Sequence, residues 1–448
     1  MDEADRAPVE VDRLPAIAGG LRAAAGRYGT PLYLTDAAGL DAAADELRAA
    51  FPDPWIRQYS VKANDVAAIV ARLAAHDLGV NVVSRGEWAV ARQAGVPNHH
   101  VTLEGVGKAD ADLRAAVAAA ASGDPLRWVA VESADEAAAL AAIAREAGLG
   151  APDRRDPRHR VAHLDVLLRF NPAVEPETHH GLAVGAGSSK FGLADDELSA
   201  AIEAGGGAHG PLRWRGIHLH VGSQLGAVDA WRDAVRRALA LLGLLRGGLP
   251  HFDTLDVGGG FPVVGLDASA PRPERFAREL PALLEAVPGD RRPARLAIEP
   301  GRFLVARSGW LVASVLHVRD RGGRRMAVLD AGMTELIRPA LYGARHPIVA
   351  LTSLGRAVEP GGHLEAEAAA VGEPVSVHGP ICESTDALGD HRLPPLRRGD
   401  LVAIRDAGAY GASLASTYNG RPRPPQVIRE PDGRLTLARR RGSLGGLG

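Results

Sequence analysis

The chain has 448 residues, with 52 Lys and Arg against 54 Asp and Glu and a formal net charge of −2. That balance excludes a basic stripe for nucleic acid and a polybasic membrane patch, and the length exceeds one ordinary core, so two domains are expected. The single cysteine, Cys382, rules out an intrachain disulfide and a cysteine-rich zinc site. No apolar run reaches the roughly 18–20 residues of a bilayer span. The polar start, MDEADRAPVE, is unlike a signal peptide. Together these features predict a cytoplasmic protein.

From residue 56 to about residue 301, short β-like runs alternate with helical ones. The predicted strands are IRQYSVKA (56–63), GVNVVS (79–84), HVTLEG (100–105), WVAVES (128–133), LDVLLRF (164–170), GIHLHVG (216–222), FDTLDVGG (252–259) and RLAIEPG (295–301). Between them lie helical patterns such as DADLRAAVAAAA, ADEAAALAAIAREAG, DDELSAAIEAG and WRDAVRRALALLGLL. Eight strands separated by helices predict an α/β fold, a (β/α)8 barrel. An open doubly wound sheet has the same strand count.

After Arg302 the texture changes. GWLVASVLHVRD, RRMAVLDAG, PVSVHGP and DLVAIRDAGA read as strands with few helices between them, and PQVIREPDGRLTLARR reads as a hairpin turning at Pro431-Asp432-Gly433. The expected organisation is a barrel over 37–302 and a β-rich C-terminal domain over 303–430, joined by residues 10–36. A terminal hairpin and flexible tail follow over 431–448. Residues 150–160, GAPDRRDPRHR, read as a charged loop.

In the barrel reading, the unusual polar residues gather at one rim. Lys62 stands where a strand ends, although the surrounding run is apolar. His220, Gly222 and Ser223 follow the sixth barrel strand, Gly258-Gly259-Gly260 the seventh, and Glu299 with Arg302 the eighth. Active sites of such barrels lie at the C-terminal ends of the strands. A triple glycine can offer backbone N–H groups to a phosphate, and Ser223 can add a hydroxyl. Taken singly, a glycine run is also an ordinary turn and a strand-end lysine an ordinary solvated cap. Lysine, carboxylate and phosphate cradle together point to pyridoxal 5′-phosphate, with Lys62 as Schiff-base lysine, Glu299 on the pyridine nitrogen and His220 stacked on the ring. No metal site is expected.

The motifs YSVKAN, GIHLHVGSQ, LDVGGGFP, AIEPGR, DAGMTELIRPALYGARHPI, GPICESTD and GAYGASLASTYNGRPRP carry a family resemblance. In this order, from about residue 28 to residue 428, they resemble the fold-type III pyridoxal-phosphate decarboxylases of the ornithine, diaminopimelate and arginine group, most closely the diaminopimelate branch. The resemblance implies an alanine-racemase-like barrel, a β-rich C-terminal domain and a homodimer with shared active sites. It implies that Ser223, Gly258, Gly259, Gly260 and Tyr410 contact the phosphate, with Gly301 and Arg302 close by. It also implies that Cys382 reaches the site from the other subunit as proton donor.

A carboxylate at Glu299 keeps the pyridine nitrogen protonated, which favours decarboxylation over racemisation. By the same resemblance Arg338 and Tyr342 hold a distal carboxylate, Glu383 takes the distal ammonium, and Arg302 and Tyr410 share in substrate binding; an arginine fork suits a carboxylate. The implied reaction is meso-2,6-diaminopimelate to L-lysine and CO2. Three positions depart from the family pattern: Asn81 stands where an aspartate is usual, Thr385 where glycine is commoner, and Glu104 where the pattern is less acidic. They keep open a decarboxylase of another amino acid or of a carrier-tethered amino acyl group. A catalytically silent cofactor-binding homologue is a further alternative, against which Lys62, His220, Glu299 and Cys382 all stand.

Overall fold

The computed structural model describes residues 13–150, 162–187, 189–263, 270–358 and 372–444. Most of the charged loop at 150–160, and the last four residues of the tail, lie outside the described residues. The chain divides into two compact units, residues 44–262 with 270–301, and residues 1–43 with 263–269 and 302–448.

Strand β1 (Leu32–Asp36) belongs to the second of these units. The first unit is built on β2 (Ile56–Ser60), β3 (Gly79–Val82), β4 (Val101–Leu103), β5 (Trp128–Val131), β6 (Leu164–Phe170), β7 (Leu212–Leu219), β8 (Thr254–Asp256) and β9 (Arg295–Ile298). All eight are parallel, and β2 pairs with β9 through Ile56↔Ala297 and Arg57↔Ile298, so the sheet closes into a barrel. That closure decides between the two topologies the strand count allows. The strands are shorter than their sequence patterns suggest, because the apolar runs continue into the turns at the barrel mouth. IRQYSVKA leaves the sheet at Ser60, and Val61–Ala63 form a 3-10 turn.

The intervening helices bury one face. Asp229–Leu245 turns Trp231, Ala234, Val235, Ala238, Leu239 and Leu242 inward, the 3.6-residue spacing of an amphipathic helix. Ser84 Oγ accepts from Glu87 N at 3.2 Å and Glu87 Oε2 accepts from Val83 N at 2.8 Å, so the helix Arg85–Gln93 starts at a fixed place after β3. Ser133 and Glu136 repeat the device after β5.

The second unit adds β10 (Gly309–Arg321), β11 (Arg324–Leu329), β12 (Ile348–Ala350), the short pair β13 (Thr352–Ser353) and β14 (Arg356–Ala357), β15 (Glu373–His378), β16 (Ala387–Leu393), β17 (Leu401–Ile404), β18 (Gln426–Arg429) and β19 (Leu435–Arg439). Its main sheet runs β16-β15-β11-β10-β1-β18-β19, with β17 pairing β10 and β12. Period-two alternation separates two cores. Leu32, Leu34, Trp310, Val312, Ala403 and Val427 pack with the helix Leu14–Tyr28, while Tyr33, Leu311, Ala313, Val402 and Ile404 face the other cluster. Strands β18 and β19 form an antiparallel hairpin whose turn is closed by Gly433 N to Glu430 O at 2.8 Å, with Gly433 at φ +86°. Among the described residues no helix is long and apolar enough to cross a membrane.

Candidate active site

At the C-terminal ends of the barrel strands, Lys62 lies partly buried in the turn after β2. The turn is fixed from both sides. Tyr59 Oη donates to Asn64 O at 2.8 Å, and Ser60 Oγ donates to Glu299 O at 3.0 Å, tying β2 to the end of β9. Gly301 completes this join: a Cβ there would stand 3.1 Å from Ser60 Cβ and 3.2 Å from Ala63 Cβ.

Glu299 is buried, and three other strands reach it. Its Oε1 accepts from Asn81 Nδ2 at 2.8 Å, and its Oε2 lies 3.2 Å from His218 Nε2. His218 Nε2 is also 3.4 Å from Glu104 Oε2. The Nδ1 atom of His218 has no partner among the described residues, so the proton is placed on Nε2, which donates to Glu299 and lies beside Glu104. Burial pushes His218 down to about 4 despite the pull of Glu104, so its imidazole is neutral near pH 7. Burial, followed by the charge of Glu299, pushes Glu104 up to about 8. Burial and Glu299 likewise raise Asp256 well above the usual carboxylate range; its Oδ1 accepts from Gly258 N at 2.9 Å. His220, the first residue past β7, is held below its ordinary value by burial and then by Lys62, Arg169 and His218.

Gly258, Gly259 and Gly260 press against the neighbouring strand ends. A Cβ at these positions would lie 2.2 Å from Leu219 O, 2.3 Å from Glu299 O and 2.5 Å from Gly222 O respectively, and Gly258 and Gly260 have φ of +70° and +100°. No other residue fits. Gly258 N–H goes to Asp256, and Gly259 N–H to His220 Nδ1 at 3.2 Å, so two of the three N–H groups have acceptors inside the barrel. The second of these bonds needs an unprotonated Nδ1, in keeping with a neutral His220. Ser223 is held by Thr178 Oγ1, which donates to its carbonyl at 2.6 Å.

In the sheet unit, Arg302 is buried and its guanidinium carbon lies 4.7 Å from the centre of the Tyr410 ring. Tyr410 holds a left-handed φ of +57°. Arg338 opens the short helix Arg338–Tyr342, and its Nη1 meets His346 Nε2 at 2.8 Å, while His346 Nδ1 meets Arg405 O at 2.9 Å. Burial, then Arg302, lowers Arg338 to about 10; burial, then Arg338, lowers His346 to about 4. Cys382 and Glu383 stand on an exposed loop with Thr385. Tyr418 Oη donates to Glu383 Oε1 at 2.8 Å, and Asn419 Nδ2 lies 3.5 Å from Cys382 Sγ. Asp386 pins the loop by accepting from Ile381 N and Met333 N.

The barrel thus brings Lys62 into the electrostatic reach of His220, and joins Glu299 to Asn81 and Glu104. Sequence context alone does not single out His218, Asp256 or His346. All three lie within the quoted motifs, and alternation in GIHLHVG marks His218 and His220 as sharing one face of their strand.

Residues 38–306 match the family described as pyridoxal-dependent decarboxylase, pyridoxal binding domain. That fixes the class, a pyridoxal-phosphate enzyme on a barrel, and the likeness extends along most of the chain. The chain is 35% identical over 427 residues to a diaminopimelate decarboxylase of Vibrio cholerae, covering 94% of this chain and 93% of that one. It is 36% identical over 411 residues to that of Deinococcus radiodurans, covering 91% and 92%. The solved structure of Helicobacter pylori diaminopimelate decarboxylase complexed with L-lysine superposes with a TM-score of 0.81, at 29% identity, covering 94% and 97%. The chain belongs to the pyridoxal-dependent decarboxylase family, and its cofactor is pyridoxal 5′-phosphate. The barrel residues fit that group: a lysine in the mouth, a buried carboxylate among donors, a neutral histidine and a turn in which only glycine fits.

Proposed function

We propose that this enzyme decarboxylates meso-2,6-diaminopimelate to L-lysine and CO2, as a cytoplasmic homodimer. The observation that carries the substrate reading is Arg338. It is a half-buried cation with no ion-pair partner within 4.0 Å among the described residues, its Nε is unpartnered among them, and its Nη1 is held by a neutral histidine. A half-buried guanidinium without a counterion suits a substrate carboxylate, and the relatives named above are diaminopimelate decarboxylases.

Bound pyridoxal phosphate supplies the sink for the electron pair left at Cα when CO2 departs. Lys62 holds the cofactor through its Nζ. Glu299, fixed by Asn81 Nδ2 and His218 Nε2, presents a carboxylate to the ring nitrogen. Neutral His220 offers its ring face without adding positive charge. Ser223, Gly258, Gly259, Gly260 and Gly301 border the phosphate. Arg338 with Tyr342, Arg302 and Tyr410 takes the distal carboxylate, and Glu383 takes the distal ammonium. Cys382, exposed on its loop, returns a proton to Cα in the partner copy's site.

The test is product and CO2 release by the cofactor-loaded protein from meso-diaminopimelate, L-lysine, L-ornithine and L-arginine. L-lysine formed from diaminopimelate alone supports the reading. Equal or faster turnover of the substrates that lack a distal carboxylate overturns it.

A further inference from the structure

His346 is 2% exposed and takes part in no step described so far. Two neighbours fix both of its ring nitrogens. Arg338 Nη1 lies 2.8 Å from Nε2, and Arg405 O lies 2.9 Å from Nδ1. A guanidinium offers only N–H groups and a carbonyl only lone pairs. The ring therefore carries a single proton, on Nδ1, which it donates to Arg405 O, and Nε2 accepts from Arg338. Arg405 follows β17, and its own N–H donates to Pro347 O at 2.8 Å, so the imidazole is anchored where β12 and β17 begin to pair.

That anchor bears on the charge of Arg338. A second guanidinium, Arg302, opposes that charge, while Tyr410, Tyr342 and, from beyond ion-pair distance, Asp406 favour it. Arg302 is steadied by the Tyr410 ring. Arg338 has a long side chain with much rotamer freedom to lose when a ligand fixes it. A carboxylate in place of His346 would also hold it, but would neutralise it and compete with an incoming anion. A neutral acceptor holds the guanidinium and leaves its charge uncompensated.

We propose that His346 is a specificity-positioning residue: through Nε2 it holds Arg338 in place for the distal carboxylate of the substrate, and leaves that carboxylate to neutralise the charge. His346 acts through Arg338 and touches no substrate, and the inference rests on the reading of Arg338 as the carboxylate-binding group. The bond from Nδ1 to Arg405 O is the structural half of the same ring.

The two halves can be removed separately, because an asparagine amide can replace the Nδ1 donor and a glutamine amide the Nε2 acceptor. In the cofactor-loaded protein, His346→Asn is expected to raise KM for meso-diaminopimelate roughly 10-fold with kcat little changed, the effect of losing one hydrogen bond to a charged group. His346→Gln should recover most of that loss. The inhibition constant of L-lysine, which has no distal carboxylate, should stay at the wild-type value in both. An unchanged KM in His346→Asn overturns the proposal, as does an equal loss in His346→Gln or a parallel weakening of L-lysine, since each leaves the ring a purely structural role. His346→Glu keeps an acceptor on Arg338 but neutralises it, so KM should rise again; a KM as low as that of His346→Gln overturns the need for a neutral group. Arg338→Leu separates the two layers. An unchanged KM there removes the carboxylate reading and the proposal with it, whereas a raised KM there beside an unchanged one in His346→Asn keeps the reading and discards the positioning role.

Discussion

The barrel gathers three carboxyls, Glu104, Asp256 and Glu299, around His218; the sheet unit gathers two guanidiniums, Arg302 and Arg338, with His346. Burial penalises charge in both, yet the remedies differ with the chemistry of the group. A carboxyl can escape by taking a proton, and burial pushes both Glu104 and Asp256 in that direction. A guanidinium cannot near neutral pH, so Arg338 leans on the lone pair of a neutral histidine and Arg302 on the ring face of Tyr410. One cluster therefore stores protons, and the other stores positive charge that an incoming anion can satisfy.

The largest break in that comparison comes from the barrel. Lys62→Ala is expected to reduce decarboxylation to background and to lose the visible cofactor absorbance on dialysis; a retained spectrum would remove Lys62 from its role. Arg338→Leu strikes the other cluster. Its kcat/KM for diaminopimelate should fall by roughly 30- to several-thousand-fold, the effect of about 2–5 kcal/mol for truncating one side of a buried charge pair. Cofactor affinity, read by absorbance titration, should stay at the wild-type value, and a parallel loss of affinity would show that the two clusters do not act separately.

The smallest effects are in pH dependence, and they carry opposite signs. His346 is held at about 4, below its ordinary 6.5, so the unfolded chain binds the extra proton first. Stability is therefore complete above pH 6.5 and is lost as pH falls toward 4, by on the order of 3 kcal/mol at most. His346→Gln should flatten that acid limb in denaturant unfolding. Glu104 is held at about 8, above its ordinary 4.5, so folding takes up a proton and stability declines as pH rises from 4.5 to 8. Glu104→Gln should flatten that limb instead.

The eight barrel strands are legible in the sequence because each is a short apolar run bounded by turn residues. Their ends are not, since Val61 and Val257 are apolar residues that belong to the mouth rather than to the ladder. Strand β16, ALGDHRL, has no β-branched residue and a central Gly-Asp-His, and only its pairing with β15 makes it a strand. Strand β1 is likewise defined by distant partners, β10 and β18. At the site, Lys62, His220 and Glu299 can be found from their places at strand ends. The set around Glu299 cannot, because Asn81, Glu104, His218 and Asp256 come from four different strand regions and meet only when the barrel closes. Glu104 and Asn81 stand out in the sequence as departures from the family pattern, but their common partner, Glu299, is visible only in three dimensions.

The pairing of β1 with strands from the far end of the chain has a consequence for synthesis. Tyr33 waits for Leu311 and then for Gln426 before its neighbours exist, while every barrel strand has been made by residue 298. At about 5–20 residues per second, the apolar strand β1 and the helix before it stay without their sheet for tens of seconds on the ribosome. In that interval Leu32 and Leu34 are the segment a chaperone would be expected to hold.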